Sequence, residues 1–288
     1  MMYSSKDFKD TFFYRKKTSS ARGKLIDWTK PMVMGILNIT PDSFFDGGKN
    51  DTVEAAFTKA EEMILAGVDI IDIGGYSSRP HAIDISIEEE ISRIDPVIRK
   101  IRQAYPSILL SVDTFRSEVA RVAIESGVDM VNDITGGIYD ERIFEIVAKA
   151  QVVYCLMHMR GTPQTMMNQT NYADVALEVV DFLAKQIKRA RDIGVRDIII
   201  DPGFGFAKTQ DQNFELFKQL NLLRILELPI LVGVSRKSMI YKTLETDATQ
   251  ALNGTTVLHT IALQNGATIL RVHDVKEVKE IIALLKNL

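Results

Sequence analysis

The chain has 288 residues, enough for two ordinary domains or for one large α/β barrel. With 46% hydrophobic and 25% charged residues and a formal net charge of −3, it is too apolar for a disordered chain and too acidic for a protein that coats nucleic acid. A single cysteine excludes an intrachain disulfide and any zinc site with more than one thiolate, and the apolar run around Cys155 reads as a buried structural thiol.

Charge is unevenly distributed along the chain. Residues 1–30 carry eight Lys/Arg against three acids, a net of +5 that leaves −8 for the other 258 residues. This basic extension lacks the apolar core of a secretory signal; Phe8, Phe12, Phe13 and Tyr14 are expected to pin it to the body, with a tail that contacts an acidic partner as the alternative. Lys24 to Pro31 is expected to turn back beneath that body. No apolar stretch approaches the ~20 residues needed to span a bilayer, so no membrane association and a cytoplasmic location are expected.

Beyond the extension lie eight continuous apolar runs, at Met32 to Asn38, Asp69 to Gly74, Ile108 to Asp113, Asp129 to Asp133, Val152 to His158, Asp197 to Asp201, Ile230 to Ser235 and Thr268 to His273. Runs of this kind, apolar on both faces, are strands of a parallel sheet. Helical patterns separate them, at Thr52 to Ala66, Ser86 to Ala104, Ser117 to Ser126, Glu141 to Ala150, Ala173 to Ile193, Gln212 to Leu226, Thr249 to Asn265 and Val275 to Lys286. Gly67, Gly127, Gly194 and Gly266 stand where left-handed helix caps prefer glycine. Eight even β/α units without an internal linker predict a single (β/α)8 TIM barrel over residues 31–288, preceded by the 1–30 extension, rather than a doubly wound sheet.

Active sites of such barrels lie at the C-terminal ends of the strands. Those ends carry Asn38, Gly74, Asp113, Asn132, Asp133, His158, Asp201, Ser235 to Ser238, Arg271 and His273. Plainer roles compete: Asp113 as a helix-entry residue, Asp201 as a turn former before Pro202, Arg236 and Lys237 as solvated loop charges. Asn132 resists such a reading, because a strand interior disfavours Asn. Arg271 and His273, two apart on a strand, share one face and form a small cationic patch. Carboxylates and an amide accept from the amine and lactam edge of a heterocycle, Lys237 donates to a ring carbonyl or nitrogen, and Arg79, Arg271 and His273 suit a phosphate or pyrophosphate. The composite substrate is a nitrogen heterocycle carrying a phosphate ester. Two long loops, Asn38 to Lys49 and Gly74 to Pro80, read as lids that exclude water. His158 and His259 read as structural.

At these motifs the chain resembles the dihydropteroate synthase family, in order Met34-Gly-Ile-Leu-Asn-Ile-Thr-Pro-Asp-Ser-Phe, Asp72-Ile-Gly-Gly, Ser111-Val-Asp-Thr, Val131-Asn-Asp-Ile, Met157-His-Met-Arg-Gly-Thr-Pro, Asp201-Pro-Gly-Phe-Gly-Phe, Ser235-Arg-Lys-Ser and Arg271-Val-His-Asp-Val. The resemblance covers about Pro31 to Glu277. It implies a transferase of folate biosynthesis that condenses a 6-hydroxymethyl-7,8-dihydropterin pyrophosphate with 4-aminobenzoate. It further implies a pterin pocket of Asp113, Asn132, Met157, Asp201, Lys237 and Arg271, and a pyrophosphate and Mg²⁺ site around Asn38, Arg79, Arg271 and His273. Arg79, Lys237, Arg271 and His273 would carry the chemistry. The arylamine would lie near Ser78, Pro80, Phe206, Lys237 and Ser238, where sulfonamides would compete, and many family members are homodimers. The second loop departs from the family's Gly-Glu-Ser-Thr-Arg-Pro-Gly at Tyr76, Ser78 and His81, and Ala207 replaces a customary Gly.

Two other functions are compatible with a pterin-binding barrel: a methyltransferase that passes a methyl group from a reduced folate to a corrinoid, and a non-catalytic pterin-binding module. The Asn38 loop, Arg79 and the Arg271/His273 pair favour the synthase over the first. The lid-like loops favour an enzyme over the second.

Overall fold

The structure, a computed structural model, describes residues 16–40, 49–77 and 84–288. In chain order its strands are β1 (Thr18–Ala21), β2 (Lys24–Asp27), β3 (Met32–Asn38), β4 (Ile70–Gly74), β5 (Leu109–Asp113), β6 (Met130–Asp133), β7 (Val153–Met157), β8 (Ile198–Asp201), β9 (Leu231–Val232) and β10 (Ile269–Val272). Its helices are α1 (Lys49–Leu65), α2 (Ile87–Ala104), α3 (Ser117–Ser126), α4 (Arg142–Ala150), α5 (Val175–Ile193), α6 (Gln210–Lys218), α7 (Ser238–Tyr241), α8 (Leu252–Gln264) and α9 (Val275–Leu285).

The last eight strands form one parallel sheet in the order β8-β7-β6-β5-β4-β3-β10-β9. Its two ends meet where Ile200 N donates to Pro229 O at 3.0 Å and Ile200 bridges Ile230, closing the sheet into the expected barrel. Every one of these strands lies within a run read from the sequence. Asp174 caps α5 by accepting from Ala176 and Leu177 N, Ser86 caps α2 by accepting from Glu89 N, and Gly67, Gly127, Gly194 and Gly266 all take positive φ.

Two layers of packing arise from the alternation of side chains. Residues facing outward, such as Val112, Val131, Tyr154, Ile200 and Val272, pack against the helices in one continuous core. Inward-facing Met34, Ile70, Met130, Val153, Cys155, Ile199, Leu231 and Ile269 fill the lower barrel. Cys155 is fully buried there, in keeping with its apolar neighbours in the sequence.

The lead-in is more ordered than a simple turn. β1 and β2 pair antiparallel, from Thr18 opposite Asp27 to Ala21 opposite Lys24, and Ala21, Ile26 and Trp28 close the apolar floor of the barrel. Trp28 is 3% exposed, and its indole N–H donates to Ser19 Oγ at 2.9 Å, so both the apolar body and the polar tip of the ring are satisfied. Alternation predicts this placement once a hairpin is assumed, but four-residue strands give little signal alone. Phe8, Phe12, Phe13 and Tyr14 lie outside the described residues.

One helix is shorter than its sequence pattern. The run Gln212 to Leu226 divides at Gln219 into α6 and a 3-10 turn over Leu220–Leu226, whose buried Leu220 and Leu223 sit three apart, the 3-10 repeat.

Trp28→Ala removes the largest side chain of the floor cluster and leaves a cavity in it. A stability loss of about 3–5 kcal/mol is expected from such a truncation, read from urea unfolding. A loss below about 1 kcal/mol would show that the barrel floor does not depend on the hairpin.

Candidate active site

The strand register brings predicted residues from four adjacent strands into one row: Asn38 on β3, Gly74 on β4, Asp113 on β5 and Asn132 on β6. Gly74 keeps the row tight. A Cβ there would stand 3.3 Å from Asn38 Oδ1 and 3.5 Å from Asp113 Cβ, so a side chain would separate the two polar groups. Parity also sorts neighbours: Asn132 points into the mouth, whereas Asp133 points away and accepts from Thr135 N, Gly137 N and the Tyr154 hydroxyl. Asp133 is therefore a loop and core residue.

Arg271, rising from β10, is the centre of the polar layer. Its Nε donates to Asp72 Oδ2 and its Nη2 to Asp113 Oδ2, both at 2.6 Å. Asn132 Nδ2 donates to the same Asp72 oxygen at 2.9 Å. Burial opposes the charge of Arg271, but Asp72 and Asp113 outweigh it and its pKa is raised. For Asp113, burial dominates over Arg271 and, with Asp72 adding repulsion, its pKa rises to about 7.

Asp72 is a site residue that the strand-end reading of the sequence misses. It is fully buried, mid-strand, and its second oxygen has no hydrogen-bond partner among the described residues. Its signal is an acid inside an apolar strand, two positions before Gly74 and so on the same inward face.

The opposite wall is the loop after β8. Asp201 Oδ1 accepts from Gly203 N at 2.7 Å, so the turn-forming and mouth-lining readings both describe it; burial raises its pKa, with Lys237 opposing. Lys237 Nζ donates to Phe204 O and stands 4.7 Å above the Phe206 ring. Burial lowers the pKa of Lys237 to about 8, against the pull of Asp201. Arg236, at φ +53°, turns away and pairs with Asp274, leaving Lys237 to enter the mouth. Ser238 is the next residue and the first of α7, and Met157 joins Phe115, Met159, Met166 and Ala207 in an apolar patch against which Phe206 packs.

The expected cationic patch is only half cationic in the free protein. His273 accepts or donates through Nδ1 at 3.0 Å from Ser235 Oγ. Burial, then Arg271 and Arg236, lower its pKa to about 4, although the residue as a whole is exposed. It is neutral at pH 7, and the charge on that face belongs to Arg271.

Ser78, Arg79, Pro80 and His81 lie outside the described residues, as does most of the Asn38 to Lys49 loop. Tyr76 is described: it turns inward, accepts from Gln164 Nε2 at 2.7 Å and packs edge-on to Phe115. Ala207 holds φ +49°, which accounts for a customary glycine there. His158 is not a lone core histidine, because its Nδ1 lies 3.0 Å from Nζ of the buried Lys208. His259 is buried with neither ring nitrogen partnered among the described residues.

As a metal ligand, Asn38 offers a carbonyl oxygen at the rim of this layer. No group of three His, Cys, Asp or Glu able to hold a metal occurs among the described residues. A single oxygen suits Mg²⁺, which commonly takes one or two protein ligands and completes its shell with water and substrate phosphate.

Residues 34–273 match the family model described as pterin binding enzyme. The dihydropteroate synthase of Synechocystis sp. is 46% identical over 261 residues, covering 89% of this chain and 90% of the relative. That of Escherichia coli is 41% identical over 268 residues, covering 92% and 94%. Among solved structures, Xanthomonas albilineans dihydropteroate synthase with 4-aminobenzoic acid superposes with a TM-score of 0.88 at 37% identity, covering 94% of this chain and 97% of that one. The Yersinia pestis synthase with a sulfonamide drug complex gives a TM-score of 0.88 at 39% identity, covering 94% and 98%. The chain belongs to the dihydropteroate synthase family of pterin-binding enzymes.

Proposed function

We propose that this chain condenses 6-hydroxymethyl-7,8-dihydropterin pyrophosphate with 4-aminobenzoate, giving 7,8-dihydropteroate and pyrophosphate in folate biosynthesis. The observation that carries the reading is the set of directed polar groups in one mouth: Asp113, Asn132 and Asp201 as acceptors, Lys237 as donor, all gathered around Arg271. A pterin presents an amine and lactam edge to the carboxylates and a ring carbonyl to Lys237, while Arg271 lies over the ring face and Met157 lines the pocket. Solved relatives bear on this: the Xanthomonas albilineans enzyme has been seen in complex with 7,8-dihydropteroate as well as with 4-aminobenzoic acid.

In the reaction the methylene–oxygen bond breaks and its electron pair leaves with pyrophosphate. The arylamine nitrogen forms the new C–N bond and then gives up a proton. Arg79, Arg271 and His273 are assigned to the leaving pyrophosphate, and stabilising its developing charge is the main catalytic term. Asn38 would hold Mg²⁺, which when bound supplies further neutralisation of the pyrophosphate. The arylamine is assigned to Ser78, Pro80, Phe206, Lys237 and Ser238. Orientation of a neutral nucleophile is all that site must provide, and sulfonamides would compete for it.

Among the described residues no helix is long and apolar enough to cross a membrane; a cytoplasmic location is proposed with the function. A homodimer is proposed on the exposed apolar side of α8, where Val257, Ile261 and the adjacent Leu244 are one-third or more exposed.

Purified protein is expected to release pyrophosphate from the dihydropterin pyrophosphate at a productive rate only when 4-aminobenzoate is present, with 7,8-dihydropteroate as product; no arylamine-dependent condensation would refute the assignment. With Asp113 at about 7 and Lys237 at about 8, kcat/KM for the pterin substrate should trace a bell. It rises as Asp113 ionises to accept from the ring and falls as Lys237 loses the proton it donates. Asp113→Asn should abolish the acid limb and lower kcat/KM roughly 10- to 100-fold, the worth of one charge-assisted hydrogen bond. An acid limb that persists in the variant would assign it elsewhere. For Asn38→Ala, the Mg²⁺ concentration giving half-maximal activity is expected to rise about tenfold or more, and an unchanged Mg²⁺ titration would remove Asn38 from the metal site.

A further inference from the structure

The buried Lys208 lies outside every role assigned above, yet it sits directly behind the loop that carries Asp201 and Phe206. It is 3% exposed. Its Nζ donates to Gly203 O at 2.8 Å and to Phe206 O at 3.1 Å, and lies 3.0 Å from His158 Nδ1. An ammonium has three N–H donors, and three acceptors are present. That match assigns Nδ1 of His158 as the third acceptor and places the imidazole proton on Nε2. The His158 ring is itself fixed, packed edge-on against Phe182 with centroids 4.9 Å apart.

The loop needs such a partner because its backbone turns its carbonyls inward. Gly203, Gly205 and Ala207 take φ of +71°, +81° and +49°, so successive carbonyls point to different sides. Phe204 O faces the mouth and accepts from Lys237, while Gly203 O and Phe206 O face the interior and accept from Lys208. Buried carbonyls left without donors would cost about 1–3 kcal/mol each. The two lysines thus grip one loop from opposite sides, and the segment between their acceptors ends at Phe206, whose ring lies beneath the Lys237 ammonium.

We propose that Lys208, seated on His158, is a positioning residue for the arylamine subsite: by holding the Phe206 carbonyl it sets the Phe206 ring without touching substrate. The proposal rests on the functional reading above. It identifies a determinant of arylamine affinity behind the wall of the site rather than in it. Burial lowers the pKa of Lys208 to about 7, with Asp201 opposing and Lys237 and Arg160 adding to the shift. The grip survives loss of that proton. A neutral amine keeps two N–H groups for the two carbonyls and accepts from Nδ1–H of the other His158 tautomer, the proton leaving the pair from Nε2.

The test uses the full chain with Lys208→Met, His158→Leu and His158→Asn, the last retaining an acceptor near the place of Nδ1. In Lys208→Met, amide hydrogen exchange at Gly205 and Phe206 is expected to accelerate about tenfold or more, and KM for 4-aminobenzoate to rise about tenfold, while the pterin Kd from calorimetry changes less than about threefold. His158→Leu should move the same readouts in the same direction, and His158→Asn should lie closer to the wild type. An unchanged arylamine KM, or a pterin Kd that rises in step with it, overturns the proposal. Should Lys208→Met not fold, the contrast between the two His158 variants decides. Exchange protection at Gly205 and Phe206 reads the grip without turnover, so a wild-type protein that fails to condense the arylamine would refute the functional reading while leaving the grip to be judged separately.

Discussion

The guanidinium of Arg271 holds the upper barrel together. Three carboxylates, Asp72, Asp113 and Asp201, converge in a desolvated mouth, where burial raises the pKa of Asp113 and Asp201 and Arg271 opposes it. Arg271 meets two of them directly, and Asp72 passes the effect on by accepting from Asn132 with the oxygen that holds Arg271. The result is a fixed array in which acceptors for a heterocycle have their directions set before any ligand arrives. Such a network is strongly destabilised when one member is removed, since an uncompensated buried charge costs about 3–5 kcal/mol.

That array is possible because the rest of the barrel is dry and closed. Below the Arg271 layer the inward residues are aliphatic or methionine apart from Cys155 and the buried Ser111, and the β1–β2 hairpin seals the lower end with Trp28. Water entering from below would raise the local dielectric and weaken the pairing of Arg271 with its carboxylates. A basic lead-in segment whose charge has no catalytic use thus contributes through its apolar residues. Lys24 adds a second tie, lying 3.5 Å from the buried carboxylate of Asp129, which also pairs with Arg102 beneath β5 and β6.

The barrel is legible in the sequence because its strands are buried on both faces and so read as unbroken apolar runs, each ending in a polar residue. Asp113, Asn132 and Asp201 stand out for that reason. Asp72 carries the same chemistry but lies one residue pair deeper, so a reading confined to strand ends passes over it, although its parity with Gly74 places it on the inward face. Lys208 is illegible for another reason. Its acceptors are backbone carbonyls aimed inward by positive φ at Gly203 and Ala207, and a carbonyl's direction has no residue letter. His273 reads as a cation from its type, yet its charge state depends first on burial and then on Arg271 and Arg236 beside it, which only the folded arrangement supplies.

Ala207 shows how these constraints combine. A left-handed alanine is less favourable than glycine by about 1 kcal/mol, and a buried methyl is worth about 0.8 kcal/mol when well packed. Here the methyl joins the patch of Met157, Met159 and Phe115 that borders Phe206, and the Ala207 carbonyl accepts from the Tyr172 hydroxyl at 3.0 Å. The two terms nearly cancel, so the replacement is tolerated thermodynamically while narrowing the backbone freedom of the loop. A glycine at this position would let the loop explore both signs of φ. Alanine at φ +49° is held there only by its neighbours, chief among them Lys208 on the adjacent residue. In this chain the loop's shape thus depends on its buried side chains more than it would with a glycine, and the arylamine wall at Phe206 takes its support from behind.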